Sequence, residues 1–461
     1  MITKRLMLLL GPVTGFALYL FLFSAIGYES SITAGITVWV AIWWVTEPIP
    51  IPATSIIPFF AFPMASVVSN KEIAKAYGHW LILLLLSGFI LSVAMEKSGV
   101  HKRFAHGMVR IIGGTSPKRI IFGIMMTCAL LSAWISNTAT CLMMLPIVLA
   151  LCSQWENQAK RVMVLSLAYS ASIGGMMTPI GTPPNIILMG VYEEKTGQAI
   201  AFLDWMTIGV PIALILLILT WIYLTWSIPA QNKETSFNSK LPAMSSYEKR
   251  IMIVFVCTAI AWMTRKQPYE GWTSLLSMNK IGDDTIGLAA VVALFVIPNG
   301  KQKGEALITW EDAQKIPWGL LLLFGGGIAI AKAFSASGLS QAIGTQLTFV
   351  SNFPLLLMIG CICLFVTFLT EITSNTATTT LLMPILAATA LSTHVDPQLL
   401  MVPAALSASC AFMLPVATAP NAIVFGTDQV TVSQMAKTGF GLNLIGMFVI
   451  TIGCYFLLSS L

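Results

Sequence analysis

The sequence predicts an all-α polytopic membrane protein of about 11 transmembrane helices and two re-entrant hairpins, arranged as two inverted-topology repeats. Three observations carry that prediction. The chain is 56% hydrophobic and 10% charged, with a mean hydropathy of +0.83, whereas a soluble domain carries roughly 25% charged residues. Long apolar runs recur from end to end, each near the roughly 20 residues a helix needs to cross a bilayer. The pentad SNTAT occurs twice, at 136–140 and 374–378, inside otherwise apolar sequence. The runs are continuously apolar and do not alternate, which excludes a membrane β-barrel.

Spans are expected near 6–26, 31–46, 51–68, 80–96, 160–190, 206–228, 249–264, 284–298, 317–334, 399–426 and 439–460, with hairpins over 116–153 and 353–393. The run 6–26 follows Lys4 and Arg5 as a signal peptide would. It is too long for one and no small-residue cleavage site follows, so residues 1–30 are read as the first membrane helix. The segment 99–112 reads as an amphipathic helix on the cytoplasmic surface. Residues 31–228 form the first repeat, 229–250 a cytoplasmic linker and 251–461 the second repeat. An odd number of spans per repeat inverts the second copy. The eight cysteines lack metal-ligand spacing and read as small packing residues. His79, His101, His106 and His394 fall in loops or span ends, without partners for catalysis.

The formal charge of +6 is explained by topology and not by a nucleic-acid partner. Lysine and arginine collect on the cytoplasmic side. Lys97, Lys102, Arg103, Arg110, Lys118 and Arg119 precede the first SNTAT, and Lys160 and Arg161 follow it. A segment with two basic ends leaves and returns to the cytoplasm, as a re-entrant hairpin does. Between Lys332 and Lys437 there is no lysine or arginine, so the second hairpin enters from outside. Other landmarks keep the same spacing. Trp80 and Trp318 are 238 residues apart, as are Ser136 and Ser374. After each hairpin comes a proline-rich break, TPIGTPPN at 178–185 and LPVATAPN at 414–421. The linker carries Lys233, Lys240, Lys249 and Arg250 and joins the halves on the cytoplasmic side.

Backbone that leaves the helix inside a membrane must be buried in protein or line a watery cavity. Paired broken segments in matching halves point to a transporter binding site near the midplane. The tips offer Ser, Thr and Asn oxygens and free carbonyls, which suit a small hard cation such as Na⁺. They also expose helix N-termini, each worth roughly half a positive charge, so four supply about +2 and can face a dianion. No Lys, Arg or His lies near a tip or a break, so an anion bound there gains from nearby cations. A lone membrane Ser or Thr is usually packing, and a lone proline is usually a kink. Two identical pentads, each followed 46 or 44 residues later by T-x-P-N, outweigh that reading. Glu371 reads either as an intramembrane functional carboxylate or as a group at the hairpin mouth, capped or solvated. Glu47 reads as interfacial and structural, and Asp428 as a surface residue.

The paired SNT motifs, the GTPPN and ATAPN loops and the stretch TEPIPIPATSIIP at 46–58 resemble the divalent anion/sodium symporter family over essentially the whole chain, in its bacterial Na⁺/dicarboxylate transporter type. The resemblance implies a homodimer in the bacterial inner membrane, with a scaffold and a transport domain. It implies elevator-type movement of Na⁺ and C4-dicarboxylates (succinate, malate, fumarate), with the N-terminus cytoplasmic and the C-terminus periplasmic. It implies at least two Na⁺ sites: Ser132, Ser136 and Asn137 with backbone near Gly181, and Thr370, Ser374 and Asn375 with backbone near Ala417. Substrate carboxylates would meet Asn137, Thr138, Asn375 and Thr376, with Thr182, Pro183, Thr418 and Ala419 close by. Ala419 stands where many relatives have proline, so the second side of the pocket departs from the pattern. A dicarboxylate exchanger or a sulfate carrier on the same fold is the alternative. An intramembrane protease would need a Ser–His pair or two aspartates at membrane depth, which the spans lack. Inverted midplane breaks favour alternating access over an open pore.

Overall fold

The computed structural model describes residues 2–112, 116–226, 228, 243–266, 271–278, 280–300, 304–346 and 353–458. Among the described residues every regular element is a helix. The first two expected spans form one helical hairpin. Helix α1 (Ile2–Thr46) is broken at Gly27, whose φ of 77° and ψ of 178° are not helical. Glycine takes that conformation without a steric penalty. The two arms fold back on each other so closely that a Cβ on Gly15 would stand 2.4 Å from the Gly35 carbonyl oxygen. Small residues permit such backbone approach between membrane helices.

The expected span 51–68 is not one helix. It is split into α2 (Ile51–Thr54) and α3 (Ile57–Met64). Pro52 and Pro58 open the two pieces and have no N–H to continue a helical ladder. The break is held from outside the segment. Trp44 Nε1 donates to Ser55 Oγ at 2.9 Å, and the Tyr77 hydroxyl donates to the Ser55 carbonyl. Helix α4 (Asn70–Tyr77), capped by Ser69, is too polar and short for the hydropathy pattern to signal. Then come α5 (Trp80–Ser98) and α6 (Val100–Ile112), which coincides with the expected amphipathic segment.

The first hairpin is α7 (Pro117–Ser132) and α8 (Asn137–Leu151). The expected span 160–190 is two half-helices, α9 (Asn157–Gly175) and α10 (Pro183–Thr196), around an unwound segment. Helix α11 (Phe202–Thr225) closes the first half. Helix α12 (Ser246–Met263) begins inside the expected linker, because Ser245 and Glu248 form a capping box there. Most of that linker, with Lys233 and Lys240, lies outside the described residues. Helices α13 (Gly271–Leu275), α14 (Asp283–Val296), α15 (Trp310–Ala313), α16 (Trp318–Ala336) and α17 (Leu339–Gln346) follow. The second hairpin is α18 (Leu355–Leu369) and α19 (Asn375–Ser392), and the second broken span is α20 (Pro397–Ala408) and α21 (Ala419–Phe425). Helix α22 (Val432–Leu458) is the last.

Among the described residues, five helical stretches are long and apolar enough to cross a membrane alone: Leu6–Thr46, Asn70–Ser98, Phe202–Thr225, Trp318–Ala336 and Val432–Leu458. Apolar helices of 10–17 residues cover Ile51–Met64, Asn137–Leu151, Leu355–Leu369 and Pro397–Ala408, and at the two hairpins and the second broken span unwound backbone shares the membrane depth with such half-helices. The halves interlock. Helix α9 packs on α7 and α8 of the first hairpin, and α20 packs on α18 and α19 of the second. Helix α21 crosses to α8 and α9, while α10 crosses to α19 and α20. All eight cysteines are free; Cys257 and Cys361 are exposed and the rest are buried. Glu47 and Asp428 are exposed and sit at positive φ just after helix ends, as turn residues do.

Candidate functional site

The two hairpin tips are built alike. Ser136 caps α8 and accepts from Ala139 N at 3.2 Å; Ser374 caps α19 and accepts from Ala377 N at 3.1 Å. This is ordinary N-capping, and it leaves Asn137 and Asn375 in the first helical turn. Behind each asparagine stands a buried hydroxyl. Ser132 Oγ lies 2.7 Å from Asn137 Oδ1 and 2.6 Å from the Ala171 carbonyl. Thr370 Oγ1 lies 2.7 Å from Asn375 Oδ1 and 2.9 Å from the Ala408 carbonyl. The hydroxyls fix each asparagine against its own broken span.

The asparagines ending the two T-x-P-N motifs organise the breaks. Asn185 Nδ2 donates to the Gly175 and Thr178 carbonyls at 3.0 and 2.7 Å. Asn421 Nδ2 donates to the Ala411 and Leu414 carbonyls at 2.9 and 3.0 Å. Each ties the carbonyls freed after the first half-helix to the start of the second, which satisfies backbone that would otherwise be orphaned. Thr182 and Thr418 are the N-caps of α10 and α21, and Pro183 takes the first helical position of α10.

The breaks differ in one respect. Glu371, at the second tip, is 3% exposed. Its Oε1 accepts from Phe412 N at 2.7 Å, Met413 N at 2.9 Å and Asn443 Nδ2 at 2.7 Å. Its Oε2 accepts from Leu414 N at 3.1 Å. The carboxylate is therefore not solvated at a hairpin mouth; it holds the unwound segment of the second broken span. The position 238 residues earlier is Ala133. There the first break is held by neutral groups: Thr178 Oγ1 donates to the Ala133 carbonyl, and Trp205 Nε1 donates to the Met176 carbonyl at 3.0 Å.

Both tips and both breaks face one cavity of about 510 Å³. Its wall includes Ser136, Asn137, Thr138, Gly181, Thr182 and Pro183 from the first half. From the second it includes Ser374, Asn375, Thr376, Ala417, Thr418 and Ala419. Ser132 and Thr370 are fully buried and reach the cavity only through the asparagines they hold. Four helices, α8, α10, α19 and α21, begin at this wall, so their unpaired N–H groups face it. Helix α21 has only seven residues and contributes a weaker dipole than the other three. The neutral oxygens fit a hard cation. Around Gly181 they crowd: a Cβ there would stand 2.5 Å from the Gly175 carbonyl and 3.0 Å from the Ala133 carbonyl. Such a set can hold Na⁺ between two half-helices and an anion against their N-termini.

The hydropathy and repeat patterns missed four groups. Asn185 and Asn421 were legible in the motif but not in role. Leu85 and Phe89 of α5 supply apolar wall, and nothing in a uniformly apolar helix marks which residues face a cavity. Glu96 and Lys315 stand on the same wall, at the end of α5 and before α16. The cation pairing of Asp312 joins residues 215 positions apart, beyond any local signal.

Comparison with known proteins places these features in a wider group. The profile of CitMHS, described as citrate transporter, matches residues 41–402. The sodium-dependent dicarboxylate transporter SdcS of Staphylococcus saprophyticus is 42% identical over 475 residues, covering 98% of this chain and 90% of that protein. The transporter of the same name from Staphylococcus aureus is 39% identical with the same coverage. Among solved structures, the Alcanivorax borkumensis YdaH transporter aligns with a TM-score of 0.61 at 14% identity, covering 84% of this chain and 86% of the other. Neisseria gonorrhoeae MtrF, described as illuminating a class of antimetabolite efflux pumps, aligns at 0.60 and 15% identity over 83% and 82%. At that identity the two structures speak to fold alone.

Proposed function

We propose that this chain, which belongs to the citrate transporter family CitMHS, is a sodium-coupled symporter of C4-dicarboxylates such as succinate, malate and fumarate. It is a multi-pass membrane transporter and not an enzyme. The observation that carries the substrate reading is the convergence of four matched breaks on one cavity, with no basic side chain at any of them. A dianion held against the tips and breaks has helix N-termini and bound cations as its positive partners there. Na⁺ at each tip would then be needed for the anion to bind, which is the physical content of coupling. At least two Na⁺ are expected: one at Ser132, Ser136, Asn137 and Gly181, the other at Thr370, Ser374, Asn375 and Ala417. The carboxylates would meet Asn137, Thr138, Thr182 and Pro183 on one side and Asn375, Thr376, Thr418 and Ala419 on the other. Names borne by relatives at 42% and 39% identity support both the ion and the substrate class.

The same reading has the chain act as a homodimer in the bacterial inner membrane. The hairpins and broken spans would travel as a unit against α5 and α16 in an elevator-type cycle. The basic ends of α5 and α6 face the cytoplasm by the positive-inside rule, with the N-terminus cytoplasmic and the C-terminus outside. The deciding experiment is uptake of labelled succinate into proteoliposomes, with an inward Na⁺ gradient, with matched K⁺, and after preloading with succinate. Uptake driven by the Na⁺ gradient supports the symporter. Uptake indifferent to Na⁺ but requiring internal succinate overturns it in favour of an exchanger.

A further inference from the structure

Among the described residues of the cavity wall, two side chains carry charge, Glu96 and Lys315. Neither belongs to a tip or a break. Lys315 lies two residues before Pro317, the N-cap of α16. It is held in place. Asp312 Oδ1 accepts from Lys315 Nζ at 3.1 Å. Asp312 Oδ2 accepts from Lys97 Nζ, and from Thr309 N and Oγ1 at 3.2 and 3.0 Å. Asp312 is 6% exposed, whereas the Lys315 side chain is 68% exposed. Burial pushes the Asp312 carboxyl up, but hydrogen bonds from Lys97, Lys315 and Thr309 outweigh it and hold the group well below the usual carboxylate range. The anchor therefore stays ionised at neutral pH.

One buried carboxylate thus gathers the end of α5 and the approach to α16, and leaves Lys315 with spare donors on the rim. With Glu96 beside Lys97, the rim has little net charge. Its attraction is local, an ammonium within reach, and not a long-range field. We propose that Lys315, positioned by Asp312, is a carboxylate-docking group at the cytoplasmic mouth of the cavity. It takes one carboxylate of the dianion as it leaves the helix N-termini, and receives it when transport runs inward to outward. The inference rests on the reading above of a dianionic substrate and of a cytoplasmic end of α5, to which Asp312 ties Lys315. The need for such a group follows from the site's chemistry. The tips hold an anion only with cations present, so a departing cation leaves the anion short of positive partners. An exposed ion pair is weak, so it eases exit without trapping the substrate.

The test compares half-saturating succinate at the two faces, in right-side-out and inside-out membrane vesicles, for the wild type, Lys315→Met and Lys315→Arg. Lys71→Met, at an exposed position of α4, is the control. An exposed pair predicts a roughly two- to fivefold rise at the cytoplasmic face of Lys315→Met, a smaller change outside, and retention by Lys315→Arg. Raising KCl should weaken cytoplasmic-face saturation in the wild type and not in Lys315→Met. Equal shifts at both faces, or none at either, overturn the inference. If Lys315→Met is poorly inserted, the salt dependence of the wild type decides: no difference between faces sinks the proposal. Wild-type uptake that ignores Na⁺ would strike the symporter reading instead, and leaves the face comparison to be read separately.

Discussion

Glu371→Ala would remove the acceptor of four hydrogen bonds at once. Phe412 N, Met413 N, Leu414 N and Asn443 Nδ2 would lose their partner inside the helical core. An orphaned buried donor costs about 1–3 kcal/mol, so four cost on the order of 4–12 kcal/mol. That rivals the roughly 5–15 kcal/mol that keeps a domain folded, and Glu371→Ala is expected to fail to accumulate. Glu371→Gln is the informative variant. Its amide keeps one acceptor oxygen and sets an NH₂ where the other oxygen stood, facing at least one N–H. The loss is at least one bond to a charged acceptor, about 1.5–3 kcal/mol. Residues 412–414 lead directly into Ala417 and Thr418 on the cavity wall. If the loss falls on the binding-competent form of that segment, half-saturating Na⁺ rises by about tenfold or more, since about 1.4 kcal/mol is a factor of ten. The assay is Na⁺ titration of succinate uptake, beside the thermal midpoint in detergent by size exclusion after heating. A Gln variant with wild-type midpoint and wild-type Na⁺ titration would refute the claim that this carboxylate holds the break.

Asn137→Ala and Asn375→Ala should each abolish Na⁺-dependent uptake while leaving the size-exclusion profile intact; full activity in either removes the site assignment. Gly181→Ala places a Cβ 2.5 Å from the backbone oxygen of Gly175, an overpacking of about 1–3 kcal/mol, and should depress uptake at low Na⁺. Ala417→Gly, at the matching position of the second break, should change it far less; the reverse order would contradict the geometry around Gly181. Ser132→Ala and Thr370→Val each take away the hydroxyl beside an asparagine Oδ1, and should raise half-saturating Na⁺ to a similar degree, by roughly fivefold for about 1 kcal/mol. Arg103 hydrogen-bonds Glu248 through Nε and Nη2 at 2.9 and 3.0 Å and holds its carboxyl down at about 2. A depressed carboxyl stabilises fully above its unfolded value and loses that contribution as pH falls toward the folded one. The thermal midpoint should therefore drop between about pH 5 and pH 2 in the wild type, and Arg103→Gln should flatten that acid limb.

What this sequence determined by itself is the membrane class, the doubled plan of hairpins and broken spans, and the identity of the polar tips. Those properties are written in one dimension: hydropathy follows composition, and the repeat follows the spacing of SNT and T-x-P-N. The places where helices stop and restart were legible for the same reason, since SNT and T-x-P-N are local motifs; Ser136, Ser374 and Thr418 cap the helices that follow them. Tertiary structure decided what spacing cannot encode. The break in span 51–68, opened by Pro52 and Pro58, is held because Trp44 and Tyr77 supply partners for Ser55, and an apolar run does not announce that help. Glu371 could be read as functional or capped until its acceptors met Phe412, Met413, Leu414 and Asn443, 41 to 72 residues onward. Asp312, which pairs with Lys315 three residues on, meets Lys97 from 215 positions away. A hydrogen bond is satisfied by any donor the fold brings within about 3 Å, so the partner of a buried polar group is a property of packing and not of neighbourhood along the chain.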